Sequence, residues 1–260
     1  EVSNGSFSQE GSELIVNGNF DTDTNWQKQA GWSIGGGTAN CDGSQNFPES
    51  VYQNGVTVVG KTYKITYTLV SVTSGAVRAM AGTLGGANQS TIGTYTEYLT
   101  ATSNTVIQIQ GNSSFIGSID NVSVVEVGQD WVLSGGVSIG SDKAIFNATS
   151  QTLLYQNISG TTQGTTYKVT YTISEYISGS IFFGFGNGIT SPQGTIRNAD
   201  GTYTEYITKS DANISGGFRT NAFIGSIDNV SVREVGQDWT LETGWSIGED
   251  AVNFTYSTPS

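Results

Sequence analysis

The chain has 260 residues, of which 12% are charged, while Gly occupies 35 positions and Pro only 3. This composition favours strands and turns over helices. Asp and Glu total 22 against 10 Lys and Arg, and the formal charge of -12 repels phosphate backbones, which argues against a nucleic-acid partner. The chain has no His and one Cys, Cys41, which excludes Ser-His and Cys-His catalytic arrangements and an intrachain disulfide. No apolar run of about 18 residues occurs, so no membrane insertion is expected.

Short segments rich in Thr, Val, Ile and Tyr, bounded by Gly, Asn, Asp and Ser, predict β-strands along the chain. Residues 61–69 alternate, with Tyr63, Ile65, Tyr67 and Leu69 on one face, so this strand is expected to bury that face and expose the other. The strands predicted before Gly128 are residues 14–17, 32–34, 38–41, 51–54, 61–72, 76–81, 95–101, 106–110 and 115–127.

Long words recur at one spacing, which is the signature of internal repeats. FIGSIDNVSV-x-EVGQDW begins at Phe115 and again at Phe223, an offset of 108 residues (223 minus 115). GTYTEY at Gly93 and Gly201 has the same offset. GQDWTLETGWSIG from Gly236 repeats the opening of the second copy. The chain is therefore expected to hold two complete copies of one domain and the start of a third, as a window of a longer repeat array.

The repeats predict four regions and one fold class. Residues 1–9 are expected to end a preceding repeat or to form a linker, 10–127 and 128–235 to form complete repeats, and 236–260 to begin an incomplete third repeat. About eight short antiparallel strands in each copy suit a two-sheet sandwich. We predict an all-β protein of tandem antiparallel jelly-roll β-sandwiches, with immunoglobulin-like sandwiches as the alternative.

The wording of the first copy carries a family resemblance. ELIVNGNFDTDTNW, from Glu13 to Trp26, is followed by a GWSI strand, a GKTYKITYT strand and a closing GSIDNVSVVEV strand. This series resembles the carbohydrate-binding-module-like jelly rolls of families 4, 9 and 22, over nearly the whole chain. GTYTEYLTATSNT leading into FIGSIDNVSV is similar to the tandem domains of tailed-phage fibre and head-appendage proteins. The resemblance implies a jelly-roll fold and a role in glycan binding.

The resemblance also implies a structural calcium ion. In the module family the opening Asn-Gly-Asn-Phe-acid segment and the closing Asp-Asn-Val strand lie side by side and often hold calcium, and Asp21 and Asp120 occupy those positions here. Carboxylates and carbonyls are the ligands that calcium prefers. In the second copy Gly-Gln-Asp-Trp replaces the opening segment, so only Asp228 remains as a candidate metal ligand.

Aromatic residues give the candidate glycan-binding positions, because pyranose rings stack on exposed aromatic faces. Trp26, Trp131 and Trp239 recur in every copy and are expected to pack between the sheets. Trp32 recurs as Trp245 but is replaced by Val137 in the second copy, and this tolerance makes the position a better sugar platform, although a buried site would also accept Val. Within GTYTEY, one Tyr of each pair is expected to face the core and its partner to line a groove beside the Glu. The candidate glycan-binding residues are Trp32, Tyr95, Glu97, Tyr203, Glu205 and Trp245.

No catalytic residue is predicted. A glycosidase needs two carboxyl groups about 5 to 10 Å apart, one of them with a raised pKa, and only one acid recurs in this strand, as Glu97 and Glu205. A lone Glu carried by a duplicated domain is more typical of structure or binding. A polysaccharide depolymerase is therefore the third interpretation, and it predicts release of soluble sugar.

The favoured function is a non-catalytic virion fibre or head-appendage protein that engages host surface glycans. The alternatives are a purely structural shaft or capsid-decoration protein, and a cell-surface adhesin or extracellular filament subunit. The loops at residues 82–92 and 184–198 share no aromatic pattern, which favours a scaffold or a single binding copy. We expect the virion surface or the extracellular space, a homo-oligomer, and contacts with other copies or other virion proteins.

Overall fold

The computed structural model describes residues 2–103, 105–190, 193–236, 239, 242, 244–248 and 251–255. Within them the protein is all-β, with antiparallel strand pairs and one short 3-10 turn, Asn187–Ile189. None of the described helical residues forms a helix long and apolar enough to cross a membrane. The chain divides into two compact units, one of residues 10–129 and one of the described parts of 1–9 and 130–260. The segment 1–9 therefore groups with the second repeat.

The described residues of the first unit form eleven strands in two sheets. One sheet has the order β3-β4-β11-β6-β9, with β1 also on β11, and the other has the order β2-β5-β10-β7-β8. The strands are β1 (Glu10–Glu13), β2 (Gln27–Lys28), β3 (Trp32–Gly35), β4 (Thr38–Cys41), β5 (Glu49–Gln53), β6 (Thr62–Ser74), β7 (Val77–Ala81), β8 (Leu84–Gly85), β9 (Gly93–Thr100), β10 (Ile107–Gly111) and β11 (Ile116–Val127).

The strand order of the first unit identifies the sandwich as a jelly roll. Strands β4 to β11 fall as 4-11-6-9 in one sheet and 5-10-7-8 in the other, so all but one of their connections cross between the sheets. This is the eight-stranded jelly-roll arrangement. The prediction of jelly-roll sandwiches is confirmed, and the immunoglobulin-like alternative is not adopted by this unit.

The core of the first unit lies between its two sheets. Tyr63, Ile65, Tyr67 and Leu69 are all buried, which confirms the face predicted from the alternation of β6. Residues 14–17 do not form the strand expected there. The Leu14 amide still donates to the Val124 carbonyl, but the next two amides donate to side-chain oxygens, Ile15 to Glu13 Oε1 at 2.9 Å and Val16 to Gln53 Oε1 at 3.4 Å.

The second unit repeats this arrangement with two longer strands. β16 and β18 pair along both of their halves, and β15 joins one half of β18 while β14 joins the other. The register shifts near Glu175 and Gly179, where φ is positive, so the strands bend between the two layers. The strands are β12 (Val132–Leu133), β13 (Val137–Gly140), β14 (Lys143–Asn147), β15 (Leu153–Asn157), β16 (Thr166–Phe185), β17 (Gly201–Thr208) and β18 (Ser215–Glu234).

The third copy is described as a hairpin of β19 (Trp245–Gly248) and β20 (Ala251–Phe254). Trp245 and Phe254 lie opposite each other in the register, and their ring centroids are 4.8 Å apart. This contact gives the hairpin an aromatic pair of its own.

Candidate functional site

Glu97 and Glu205 lie under loops rather than in open grooves. Each Glu points inward from its strand, β9 or β17, and a glycine of the preceding loop lies directly over the carboxylate. A Cβ atom placed on Gly86 would be 1.1 Å from Glu97 Oε2, and one on Gly194 would be 1.7 Å from Glu205 Oε2. A larger residue at either glycine would displace the carboxylate, so in both units the loop and the Glu side chain pack as one feature.

The Glu205 carboxylate is saturated by protein donors. Arg197 donates from Nε at 3.0 Å and from Nη2 at 2.9 Å to Glu205 Oε1, and the Tyr171 hydroxyl donates to the same oxygen at 3.1 Å. The Thr195 amide donates to Oε2 at 3.0 Å. Because the side chain is only 5% exposed, the pair is desolvated and holds the loop to the sheet. Glu205 is therefore a loop anchor in this structure, and this place differs from the groove expected from the sequence.

Glu97 occupies the same position with weaker partners. Gln89 stands where the second unit has Arg197, and the Tyr67 hydroxyl is 3.5 Å from Glu97 Oε1. Oε2 is buried and makes no hydrogen bond to the described residues. Burial raises the pKa of Glu97, and the Ala87 amide, Gln89 and Arg78 offset this effect only in part. The first unit thus keeps a poorly compensated buried carboxyl group.

Tyr95 and Tyr203 fasten the same loops. The Tyr95 hydroxyl donates to the Thr91 carbonyl at 2.6 Å, and the Tyr203 hydroxyl donates to the Ala199 carbonyl at 2.8 Å. Each ring also packs on a buried tyrosine of the neighbouring strand, with Tyr95 5.8 Å from Tyr67 between ring centroids. The structure therefore brings the predicted Tyr and Glu residues together, but as an anchor for the loop.

The tryptophans divide between core and surface. Trp26 and Trp131 are buried, as predicted, whereas Trp239 is 70% exposed. Trp32 is only 6% exposed, and its Nε1 donates to the Glu49 carbonyl at 3.0 Å. Its ring therefore belongs to the core and leaves no open face for a sugar, contrary to the expected exposure. Trp245 is 46% exposed and keeps a surface available for stacking.

The opening and closing segments of the first unit lie side by side, as the resemblance implies. The Val122 amide donates to the Gly18 carbonyl at 2.8 Å. Asp21 Oδ2 accepts a hydrogen bond from Asn19 Nδ2 at 2.5 Å, and both Asp120 oxygens accept from Asn121. These carboxylates are thus engaged within their own segments.

The Asp-Asn pair forms a β-bulge in each unit. Asn121 and Asn229 have φ of 52° and 54°, and the strand register shifts beside them. Asp228 bonds to the amide and Nδ2 of Asn229 at 2.6 and 3.0 Å. In the part of the chain that the structure describes, no three His, Cys, Asp or Glu side chains come together as metal ligands. A calcium ion would take most of its six to eight oxygens from carbonyls and water.

Calcium binding stays a prediction of the family resemblance and has a direct test. Calcium at Asp21 and Asp120 is expected to raise the Tm of the first unit, because an ion that binds only the folded state stabilises it. Asp120→Asn is expected to remove this rise, and Asp228→Asn to leave it unchanged. Calorimetry with calcium and with a chelator measures the effect, and equal Tm values in the two conditions would contradict the prediction.

The outward face of the second sheet brings together groups that the sequence analysis missed. Tyr52 on β5 lies opposite Gln108 on β10, while the core residues Ile107 and Ile109 point the other way. Gln110 lies on the same face and accepts hydrogen bonds from Arg78 on β7, at 2.8 Å from Nη2. Tyr52 and Arg78 lie two strand spacings apart and are offset by two residues along the strands, which separates them by about 12 Å.

The second unit keeps one Tyr and one Arg on the corresponding face. Tyr155 on β15 lies opposite Gly217, and Arg219 is two residues further along β18. Arg219 donates from Nη1 to the Gly188 carbonyl at 3.3 Å. We call these two surfaces the tyrosine–arginine faces. The recurring words VYQN and LYQN were the sequence signal, since each places a half-buried Tyr between two buried residues.

The fold and these faces define a class: a protein of tandem jelly-roll sandwiches, each with an outward aromatic and polar sheet face. No protein-family model matches the chain, and no curated protein matches it. Among solved structures, it is similar to the N-terminal CBM22-1-CBM22-2 tandem domain of Xyn10C from Paenibacillus barcinonensis. The two are 11% identical with a TM-score of 0.37, over 86% of this chain and 98% of the other. A likeness at this level carries no conclusion about function.

Proposed function

We propose that the chain is a non-catalytic repeat protein of the virion surface, in a fibre or head appendage, whose tyrosine–arginine faces bind glycans of the host surface. The observation that carries the binding role is the face formed by Tyr52, Gln108, Gln110 and Arg78. A pyranose ring offers an apolar side to an aromatic ring, and its hydroxyls pair with amide and guanidinium groups. The phage context rests on the recurring GTYTEY and FIGSIDNVSV wording.

A binding role suits a repeated domain. Each face is a sheet surface whose Tyr and Arg side chains are half-buried, so a single site is expected to bind weakly. A second site on the same chain binds at high effective concentration, and oligomerisation multiplies the sites further. The half-exposed Trp245 adds a third stacking surface. Glu205 is poorly placed for hydrolysis, because its oxygens already accept hydrogen bonds from Arg197, Tyr171 and Thr195.

One observation favours a second function, a structural shaft or decoration repeat. The two faces differ. Gln108, opposite Tyr52, corresponds to Gly217, opposite Tyr155. Arg78, opposite Gln110, corresponds to Phe182, opposite Arg219. The loop anchors, in contrast, recur in both units. A protein selected for spacing keeps its anchors and lets its faces diverge.

A glycan array with the full chain tests the proposal. We expect saturable binding, and about tenfold weaker binding for Tyr52→Ala, since it removes the aromatic platform of one face. Tyr155→Ala reports on the second face in the same way. Tyr98→Ala is the matched control, because Tyr98 is half-buried on the outer side of the other sheet, opposite Lys64.

Four outcomes separate the functions. Loss in Tyr52→Ala or Tyr155→Ala, with Tyr98→Ala unchanged, supports glycan binding at the tyrosine–arginine faces. Binding that survives both variants places the site elsewhere and contradicts the assignment. The absence of binding by correctly folded chain would favour the structural shaft, and soluble sugar release would contradict the non-catalytic role.

A further inference from the structure

The second unit is completed by a segment from the amino-terminal end of the chain. Residues 2–8 precede the first unit in sequence but group with residues 130–260 in space. They contain Asn4-Gly5-Ser6-Phe7, which matches Asn17-Gly18-Asn19-Phe20 of the first unit's own opening segment. The second repeat itself begins with Gly-Gln-Asp-Trp and lacks this wording.

The segment is held by ring packing and backbone hydrogen bonds. Phe7 is 1% exposed, and its ring centroid is 5.1 Å from that of Trp131. Trp131 Nε1 donates to the Asn4 carbonyl at 3.0 Å, and the Val230 amide donates to the Gly5 carbonyl at 2.8 Å. The β-bulge after Asp228 leaves this Val230 amide available for the segment.

A buried glutamine completes the contact set. Gln156 Nε2 donates to the Ser3 carbonyl at 3.0 Å, and Gln156 Oε1 accepts the Ser3 amide at 2.9 Å. A Cβ atom on Gly5 would lie 1.9 Å from the Val230 carbonyl oxygen, so only glycine fits at this position. We call Trp131, Gln156 and Val230 together the Trp131 socket.

The first unit makes the same contacts with its own segment. The Phe20 and Trp26 centroids are 5.0 Å apart, Trp26 Nε1 donates to the Asn17 carbonyl at 2.8 Å, and Gln53 Nε2 donates to the Val16 carbonyl at 2.7 Å. There the Trp follows the Asn by 9 residues, whereas in the second unit the separation is 127 residues. The socket therefore recognises the segment by its contacts, and not by its place in the chain.

The intervening unit closes on itself. Glu10 and Val127 are paired residues of β1 and β11, so the chain enters and leaves the first unit at neighbouring points. Ser8, Gln9 and Glu10 are exposed. The first unit is thus an insertion between a ligand-like segment and its receptor, joined by an accessible stretch.

We propose that residues 2–8 and the Trp131 socket are a separable peptide–receptor pair, so that the second repeat accepts the Asn-Gly-x-Phe segment of a second copy of this chain. An incoming segment adds main-chain hydrogen bonds and buries one aromatic anchor, which is a common mode of peptide recognition. Adjacent chains are linked in this way when one donates its segment to the socket of the next.

The test uses the full chain with a specific protease site in place of Gln9. After cleavage and removal of the fragment, a fluorescent peptide of residues 2–9 is expected to bind saturably by anisotropy and to restore slow amide exchange in residues 130–235. The peptide of residues 15–22, which carries the other Asn-Gly-x-Phe word, is expected to compete. Peptides with Phe7→Ala or Gly5→Ala are expected to bind roughly 100-fold more weakly.

A second variant avoids cleavage. The intact Gly5→Ala chain, whose own segment cannot seat, is expected to bind the labelled peptide, while the parent chain is not. The proposal is overturned when neither the cleaved chain nor the Gly5→Ala chain binds, or when the Gly5→Ala peptide binds as well as the parent peptide.

Discussion

Phe7→Ala is expected to destabilise the second unit by about 3 to 5 kcal/mol and to leave the first unit folded. Phe7 is fully buried against Trp131, and removal of a packed phenyl ring from a core costs this amount. Amide exchange is expected to accelerate in residues 130–235 and not in 10–129. For a unit of this size, the Tm of the affected transition falls by roughly 10 °C or more.

Two variants control this experiment. Phe20→Ala is the equivalent substitution in the first unit and is expected to accelerate amide exchange in residues 10–129, because Phe20 packs on Trp26 in the same way. Phe47→Ala removes a phenyl ring that is 71% exposed and is expected to change neither unit. Faster exchange in residues 10–129 upon Phe7→Ala would contradict the placement of residues 2–8 in the second unit.

Replacement of the equivalent residues Glu205 and Glu97 by Gln is expected to have opposite effects on the stability of their units. Glu205→Gln removes the charge that pairs with Arg197 and is expected to cost about 2 kcal/mol, since the pair is largely desolvated but the Arg197 side chain keeps 26% exposure. Glu97→Gln is expected to stabilise the first unit at neutral pH, because the amide removes a buried charge that Arg78 and the neighbouring hydrogen-bond donors compensate only in part.

The pH dependence of the stability gain from Glu97→Gln distinguishes removal of a buried charge from a change in packing. The folded-state pKa of Glu97 is raised, so burying the ionised carboxyl group destabilises the protein above that pKa, and the penalty disappears as the pH falls towards the ordinary value of 4.5. The gain from Glu97→Gln should therefore be full at neutral pH and vanish in acid. Denaturant unfolding at several pH values measures it, and a gain that persists in acid would contradict the account.

The alternation of β6 and the recurrence of Trp26 and Trp131 were enough to predict strands, repeats and part of the core, because these signals are local or repeated. The role of Glu97 could not be predicted in this way. Its burial depends on a loop that returns over the strand, with Gly86 against the carboxylate. Strand periodicity assigns a face to Glu97, but it does not say which loop covers that face.

The tryptophan at position 32 and the opening segment show two further limits. Trp32 was expected at the surface because the second copy has Val137 in its place, but a buried site accepts either apolar residue. The partner of Trp131 lies 127 residues away at Asn4, which no local pattern reveals. The repetition of Asn-Gly-x-Phe at Asn4 and Asn17 was the available signal.

Glycan recognition at the tyrosine–arginine faces is tested most sharply by comparing the Tyr52→Ala/Tyr155→Ala double variant with the parent chain, on intact host-cell surfaces and on the same glycan array. We expect saturable binding by the parent and at least about tenfold weaker binding by the double variant, with amide exchange unchanged in both units. Equal binding by the two proteins would contradict glycan recognition at the tyrosine–arginine faces.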